Sequence, residues 1–286
     1  MSATRHSWIA AHAYLRPLAH WTAAVEDAVT RIDAPPHAVP EWNGYANEFR
    51  DGVPLLHAAE PRIDVEPAGA MAVALVDALS SAPPRDAPLA DLAGLAAELH
   101  RDSRISSRIA DGLLGGEGPP TSSPGLLRYL AWSATRRYLE PVIRAFAAWR
   151  NEEREQRWMR PYCPTCGSGP AMAQLAGRDP GRRRMLVCGS CSARWQFGRT
   201  QCPFCENDAQ RLATLAVHGE SGLRIDHCEA CRGYLKTYDG EGNEDVLLAD
   251  WTSVHLDLLA QDRGLVRRAP SLFALDAGIA AAGPKD

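Results

Sequence analysis

The chain has 286 residues, 45% of them hydrophobic and 23% charged, with a formal net charge of −4. This is the composition of a soluble globular protein with a sizeable core, and its charge excludes bulk attraction to nucleic acid or to anionic lipid. No apolar run approaches the roughly 18 residues that cross a bilayer, so no membrane insertion is expected; the start, "MSATRHSWIAAHAYLRP", lacks the sustained apolar stretch of a secretory signal, which points to the cytoplasm.

The first 150 residues are rich in Ala and Leu at helical spacing. Residues 18–33, 69–81 and 104–114 read as helices, and in "APLADLAGLAAELHRDSR" Leu89, Leu92, Leu95, Ala96 and Leu99 share one face. Breakers punctuate them: "DAPPHAVP", "SSAPPRDAP" and "GGEGPPTSSPG". A longer stretch, "LLRYLAWSATRRYLEPVIRAFAAWRNEEREQRW", carries Pro141, which predicts a break near Tyr138 to Glu140. Its charged end reads as a connector, and residues 1–157 are expected to form an all-α domain.

From Tyr162 the texture changes to short strand-like runs, "RMLVC" and "ARWQF", between turn residues. All eight cysteines lie here, as C-x2-C-x21-C-x2-C-x10-C-x2-C-x22-C-x2-C. The array is an internal repeat: "CPTC" at 163–166 matches "CPFC" at 202–205, and "CGSC" at 188–191 matches "CEAC" at 228–231. A C-x2-C pair wraps its backbone around one ion, and two pairs complete a tetrahedral four-sulfur site. Pairing within each half assigns Cys163, Cys166, Cys188 and Cys191 to one site and Cys202, Cys205, Cys228 and Cys231 to the other. The modules are then 158–199 and 200–245, both of rubredoxin-like or zinc-ribbon-like type.

Other readings of the cysteines fit less well. A redox dithiol needs one C-x2-C at a helix start, not four pairs in tandem. Disulfides suit a small secreted scaffold rather than a reducing compartment. His218 and His227 are available as ligands, but eight thiolates already fill two sites. Four thiolates take zinc or a mononuclear iron equally well by geometry, so the metal stays open at this stage.

The remaining residues carry quieter signals. "GRRRM", with Arg182, Arg183 and Arg184, invites a nucleic-acid reading. Residues 151–200 hold nine arginines against four acidic residues, whereas 201–250 hold four basic against ten acidic. The cysteine region is polarised rather than basic, and a solvated hairpin or a contact to an acidic protein surface is favoured for the Arg run. Tyr162, Trp195, Phe204, Tyr234 and Tyr238 flank the ligands and suit the small core of each module. "RGYLKTY" reads as a strand or as a docking surface. "EDVLLADWTSVHLDLLAQDRG" reads as one further helix with Val254, Leu258 and Leu259 inward and Gly264 as its stop; with the tail through "AAAGPKD" it makes up 246–286. No catalytic motif occurs, neither G-x-S-x-G, Walker A, H-E-x-x-H nor a dinucleotide fingerprint, so no enzyme is expected.

With a helical first half, "CPTCGSGP", "LVCGSCSARWQFGRTQCPFCEND", "CEACRGYLKTYD" and "LLAQDRGLVRRAP", the chain resembles the formate dehydrogenase accessory proteins known as FdhE. The motifs span 155–270; over 1–150 the resemblance lies in length and helical character. It implies a cytoplasmic maturation factor that binds the catalytic subunit of respiratory formate dehydrogenase. It also implies iron at the C-x2-C motifs in a rubredoxin-like manner, carried over here to the eight cysteines above. In the third motif Glu206 stands where the first has Gly167. The alternatives are a zinc-ribbon protein that binds nucleic acid or acts in regulation, and a rubredoxin-type electron carrier that would leave the helical half unexplained.

Overall fold

Helical spacing and its breakers act together in the first half of the chain. The computed structural model describes residues 3–273, apart from 37, 86, 88, 152, 153, 155, 156, 178–181, 221, 242, 243 and 270. It divides into two compact units: residues 1–47 with 55–149, and residues 48–54 with 150–286.

The first unit is built from α1 (Ala3–Ala11), α2 (Arg16–Thr30), the first turn of α3 (Tyr45–Asp51), α4 (Glu66–Ser81), α5 (Leu89–Leu99), α6 (Ile105–Leu113), α7 (Pro124–Tyr138) and α8 (Glu140–Trp149). Pro17, Pro67 and Pro124 each sit in the first turn of a helix, where the missing N–H has no intrahelical partner to lose. The helix α4 is the centre: Ala68, Met71, Ala72, Leu75, Val76 and Leu79 are buried against α2, α5, α6 and α7. Close approach to α6 depends on Gly69, where a Cβ would lie 2.2 Å from the carbonyl oxygen of Ser106. In α5 the predicted inward residues Leu92, Leu95 and Leu99 are buried and Ala96 is half-buried, whereas the side chain of Leu89 lies outside the described ones. The break foreseen at Pro141 falls between α7 and α8. Beside it Trp42, Tyr45, Phe146 and Trp149 pack with ring centroids 5.5–5.9 Å apart.

The second unit carries one six-stranded sheet in the order β3-β2-β1-β6-β5-β4. Its strands are β1 (Pro170–Ala176), β2 (Arg183–Cys188), β3 (Arg194–Phe197), β4 (Leu212–Ala216), β5 (Leu223–Cys228) and β6 (Tyr234–Asp239). Each half of the cysteine repeat is an antiparallel three-stranded meander, and the two join through parallel pairing of β1 with β6. The stretch "RGYLKTY", read as a strand or a docking surface, is therefore an interior strand with Tyr234 through Tyr238 buried. Strand alternation sends Tyr234 and Lys236 to one face and Leu235 and Thr237 to the other. Below the first meander Phe49 stacks on Trp158 at 5.0 Å, and the Trp158 indole N–H donates to the carbonyl of Tyr162.

The last stretch departs from expectation. It is not one helix but α9 (Glu244–Leu247), a 3-10 turn (Asp250–Ser253) and α10 (Val254–Asp262). Ala249 is extended, with φ −76° and ψ 118°, which breaks the run so that Asp250 can meet Lys236. The inward residues of α10 are Leu256 and Ala260, whereas Leu258 is 53% exposed. Gly264, at φ +66°, follows the helix end as expected. Of the residues read as a charged connector, 152, 153, 155 and 156 lie outside the described ones, as does the tail 274–286. No helix among the described residues is long and apolar enough to cross a membrane.

Candidate metal centres

Each meander presents its cysteines on two tight turns, one before its first strand and one between its second and third. At the first turn of site one the Cys163 N–H donates to the Ser168 carbonyl and the Gly167 N–H to the Cys163 carbonyl, both at 2.9 Å. Site two repeats this with Cys202 to Asn207 at 2.8 Å and Glu206 to Cys202 at 2.9 Å. The second turns match as well: the N–H of Cys188 bonds the Ala193 carbonyl and that of Cys228 the Gly233 carbonyl, each at 2.9 Å.

The turns need left-handed residues, and these too correspond: φ is +76° at Gly167 and +58° at Glu206, +62° at Ser192 and +60° at Arg232. Glu206 thus adopts the glycine conformation at a cost of roughly 1–2 kcal/mol. Its side chain is exposed. Glu206→Gly is expected to stabilise the second module by about 0.5–1 kcal/mol, the relief of strain being partly offset by glycine's larger unfolded-state entropy. Metal retention against a chelator series, compared with the parent chain, measures it; weaker retention would contradict it.

These turns bring together the two sets of four cysteines foreseen from the spacing. Within each set the sulfurs all lie within 4.8 Å of one another. In site one Sγ–Sγ is 3.5 Å for Cys163–Cys191 and 3.4 Å for Cys166–Cys188. In site two it is 3.8 Å for Cys202–Cys231 and 3.7 Å for Cys205–Cys228. A tetrahedron with metal–sulfur bonds of about 2.3 Å has edges of about 3.8 Å, whereas a disulfide needs about 2.05 Å. None of the eight cysteines is in a disulfide, and their separations suit a shared ion.

Backbone N–H groups point at the sulfurs. Thr165 donates to Cys163 Sγ and Ser190 to Cys188 Sγ at 3.3 Å; Phe204 donates to Cys202 Sγ at 3.4 Å and Gly233 to Cys231 Sγ at 3.3 Å. The Asn207 side chain adds an Nδ2–H to Cys205 Sγ at 3.2 Å, a contact the sequence reading missed. Such donors favour thiolate over thiol. Without a cation, however, the four sulfurs of a set compete for one negative charge. Burial pushes the Cys163 and Cys191 thiols up, while hydrogen bonds from Cys163, Cys188 and Cys191 pull Cys166 down. In site two burial likewise raises Cys202, whereas at Cys205 burial is outweighed by Asn207, leaving it at about 7. A divalent cation removes the competition and lets all four ionise, so these residues fit a metal.

The two sites differ in exposure. Cys163, Cys166, Cys188 and Cys191 are all buried, whereas Cys205 and Cys231 of site two are half-buried. Neither His218 nor His227 joins either set.

Of the two readings of the Arg run, a solvated hairpin or a contact to an acidic protein surface, the structure departs from the first. Arg182 ion-pairs with Asp239, and only Arg183 of the three is exposed. Arg184 is buried over the Phe197 ring and donates to the Gln201 carbonyl beside Cys202. Burial lowers its pKa to about 10 against the pull of Asp226 and Cys202. With Arg199, Phe204 and Thr214 it lines a cavity of about 110 Å³ against Cys202.

The fold and sites define a two-unit protein: a helical unit, and a duplicated zinc-ribbon-like module carrying two closed four-cysteine sites. No family model matches the chain. Over 169 residues it is 31% identical to an FdhE homologue of Aquifex aeolicus, covering 58% of this chain and 55% of that one. Over 129 residues it is 33% identical to an FdhE homologue of Pseudomonas aeruginosa, covering 42% of this chain and 41% of the relative. The matched sequence thus spans about half the length of these relatives. The crystal structure of the FdhE protein from Pseudomonas aeruginosa superposes with a TM-score of 0.57 at 25% identity, covering 89% of this chain and 87% of that one. The chain is thus similar to FdhE proteins both in sequence and in fold.

Proposed function

We propose that this chain is a cytoplasmic, non-catalytic maturation factor for respiratory formate dehydrogenase. It binds the catalytic subunit of that enzyme and carries two mononuclear tetra-thiolate iron sites. The observation that carries the reading is the pair of four-sulfur sets, with edges of 3.4–3.8 Å, on a duplicated module in a chain similar to FdhE proteins. Cys163, Cys166, Cys188 and Cys191 would hold one ion; Cys202, Cys205, Cys228 and Cys231 would hold the other. Four sulfurs close each site, leaving no coordination place for Lewis-acid chemistry. Bound iron would supply a one-electron change of charge with no change of ligand.

The nucleic-acid alternative loses its main support, because Arg182 and Arg184 are turned into the sheet. Metal content and visible absorption of the protein purified without oxygen test the metal. Two irons per chain and a thiolate-to-iron band on oxidation are expected; two colourless zincs would replace iron in the proposal. Capture of the formate dehydrogenase catalytic subunit from a lysate tests the partner, and failure to enrich it would defeat the reading.

A further inference from the structure

The duplication leaves the two ends of the sheet unequal. Counting back from Cys188 and Cys228, Ala173 opposes Leu186 as Thr214 opposes Asp226, and Leu175 opposes Arg184 as Ala216 opposes Arg224. The strand β4 is therefore the counterpart of β1. On β1 the outer edge is filled, with Ala173 beside Thr237 and Leu175 beside Asp239 of the parallel strand β6. On β4 the same edge carries no strand among the described residues.

The Arg211 carbonyl turns toward β5 by accepting the Glu229 N–H at 2.8 Å. Strand alternation then directs the N–H and C=O groups of Leu212, Thr214 and Ala216 away from β5. Thr214 and Ala216 are exposed. A second copy of this chain is a poor occupant in the parallel arrangement that β6 takes on β1. The repeat geometry would bring β3 of that copy, the counterpart of β6, onto β4, and copies would add head to tail without closing. The outer edge of β3 is blocked, since the Arg150 guanidinium donates to the Arg194 carbonyl at 2.9 Å.

We propose that β4 is a docking edge for an extended segment of a partner polypeptide, which adds as a parallel seventh strand in the place β6 takes on β1. The proposal rests on the maturation-factor reading and names its surface: the segment belongs to the formate dehydrogenase catalytic subunit. Half-buried Ala213 and Leu215 lie on one face of β4, and Thr214, bonded to Asp226 at 2.9 Å, on the other. A segment alternating apolar and polar side chains fits both. Main-chain hydrogen bonds carry the affinity.

Thr214→Pro removes one outward N–H and leaves the ladder to β5 intact, a position where an edge strand accepts proline. Thr214→Val keeps the N–H. The full chain carrying Thr214→Pro, with its metal retained, is expected to bind the catalytic subunit about 10-fold more weakly than the parent or the Val variant. In the parent, amide exchange at Leu212, Thr214 and Ala216 is expected to slow when the subunit binds. Equal binding by the Pro variant, or unchanged exchange at these amides in the bound parent, overturns the docking edge and leaves the maturation reading intact. A parent chain that does not bind the subunit overturns both. If the Pro variant loses its metal and misfolds, the exchange measurement on the parent decides.

Discussion

Cys163→Ser is expected to lower the metal content from two ions per chain to one, and to make the first meander the preferred site of proteolysis. Cys163 is wholly buried and sits 3.5 Å from Cys191, so no water can take its coordination place without opening the module. Structural four-ligand sites contribute on the order of 10–16 kcal/mol to folding in small modules. A whole domain is stable by only about 5–15 kcal/mol, so the loss is enough to unfold the meander that carries the site. The same change at half-buried Cys205 is expected to be milder, because solvent can reach the vacated position. Elemental analysis of the purified chain and mapping of protease cuts between β1 and β3 check both statements. A Cys163→Ser chain that keeps two ions, or that loses the ion held by Cys202 and Cys205 as well, would show that the pairs do not combine within each half.

The two sites were legible in the sequence because C-x2-C spacing and the repeat each restrict geometry strongly. Glu206 shows the limit of that reading: its backbone turns as Gly167 does, at a local energetic cost that the rest of the module offsets. The helical unit was legible for a different reason, since proline and glycine clusters stop the helices and leucine spacing orients them. What could not be read was long-range pairing. The alternation of "YLKTYD" is the same whether a strand lies at an edge or between two others, and only the parallel contact with β1 makes it an interior strand. In α10 the Leu258–Leu259 pair suggested the wrong face, because the sequence does not reveal that Asp250 and Asp257 must both reach one buried lysine. The Arg run was misjudged for the same reason: Asp239, which binds Arg182, lies 57 residues further along the chain.

That lysine carries the second large effect. Lys236 Nζ has no exposure; it lies 2.6 Å from Asp250 Oδ1 and 2.9 Å from Asp257 Oδ2, and donates to the Asp250 carbonyl at 2.9 Å. Arg267 binds the same two carboxylates at 2.6–2.8 Å, and the Tyr234 hydroxyl donates to Asp257 at 2.7 Å. Two cations thus balance two anions where the C-terminal helices meet β6. Lys236→Met removes one cation and leaves two buried carboxylates sharing Arg267 alone, which is expected to cost about 3–5 kcal/mol. Lys236→Met with Asp257→Asn removes one charge of each sign and is expected to recover a large part of that loss. The pH dependence follows from Asp250. Burial acts to raise its carboxyl, but Arg267 and Lys236 outweigh burial and hold it well below the usual carboxylate range. A depressed folded-state value means that the stabilisation is present above the unfolded value of about 3.9 and is lost as pH falls below it. Thermal unfolding of the three chains at pH 7, and of the parent from pH 6 down to pH 3, measures these effects. A single variant as stable as the parent, or a double variant no better than the single, would mean that the buried charges do not hold the C-terminal helices to the sheet.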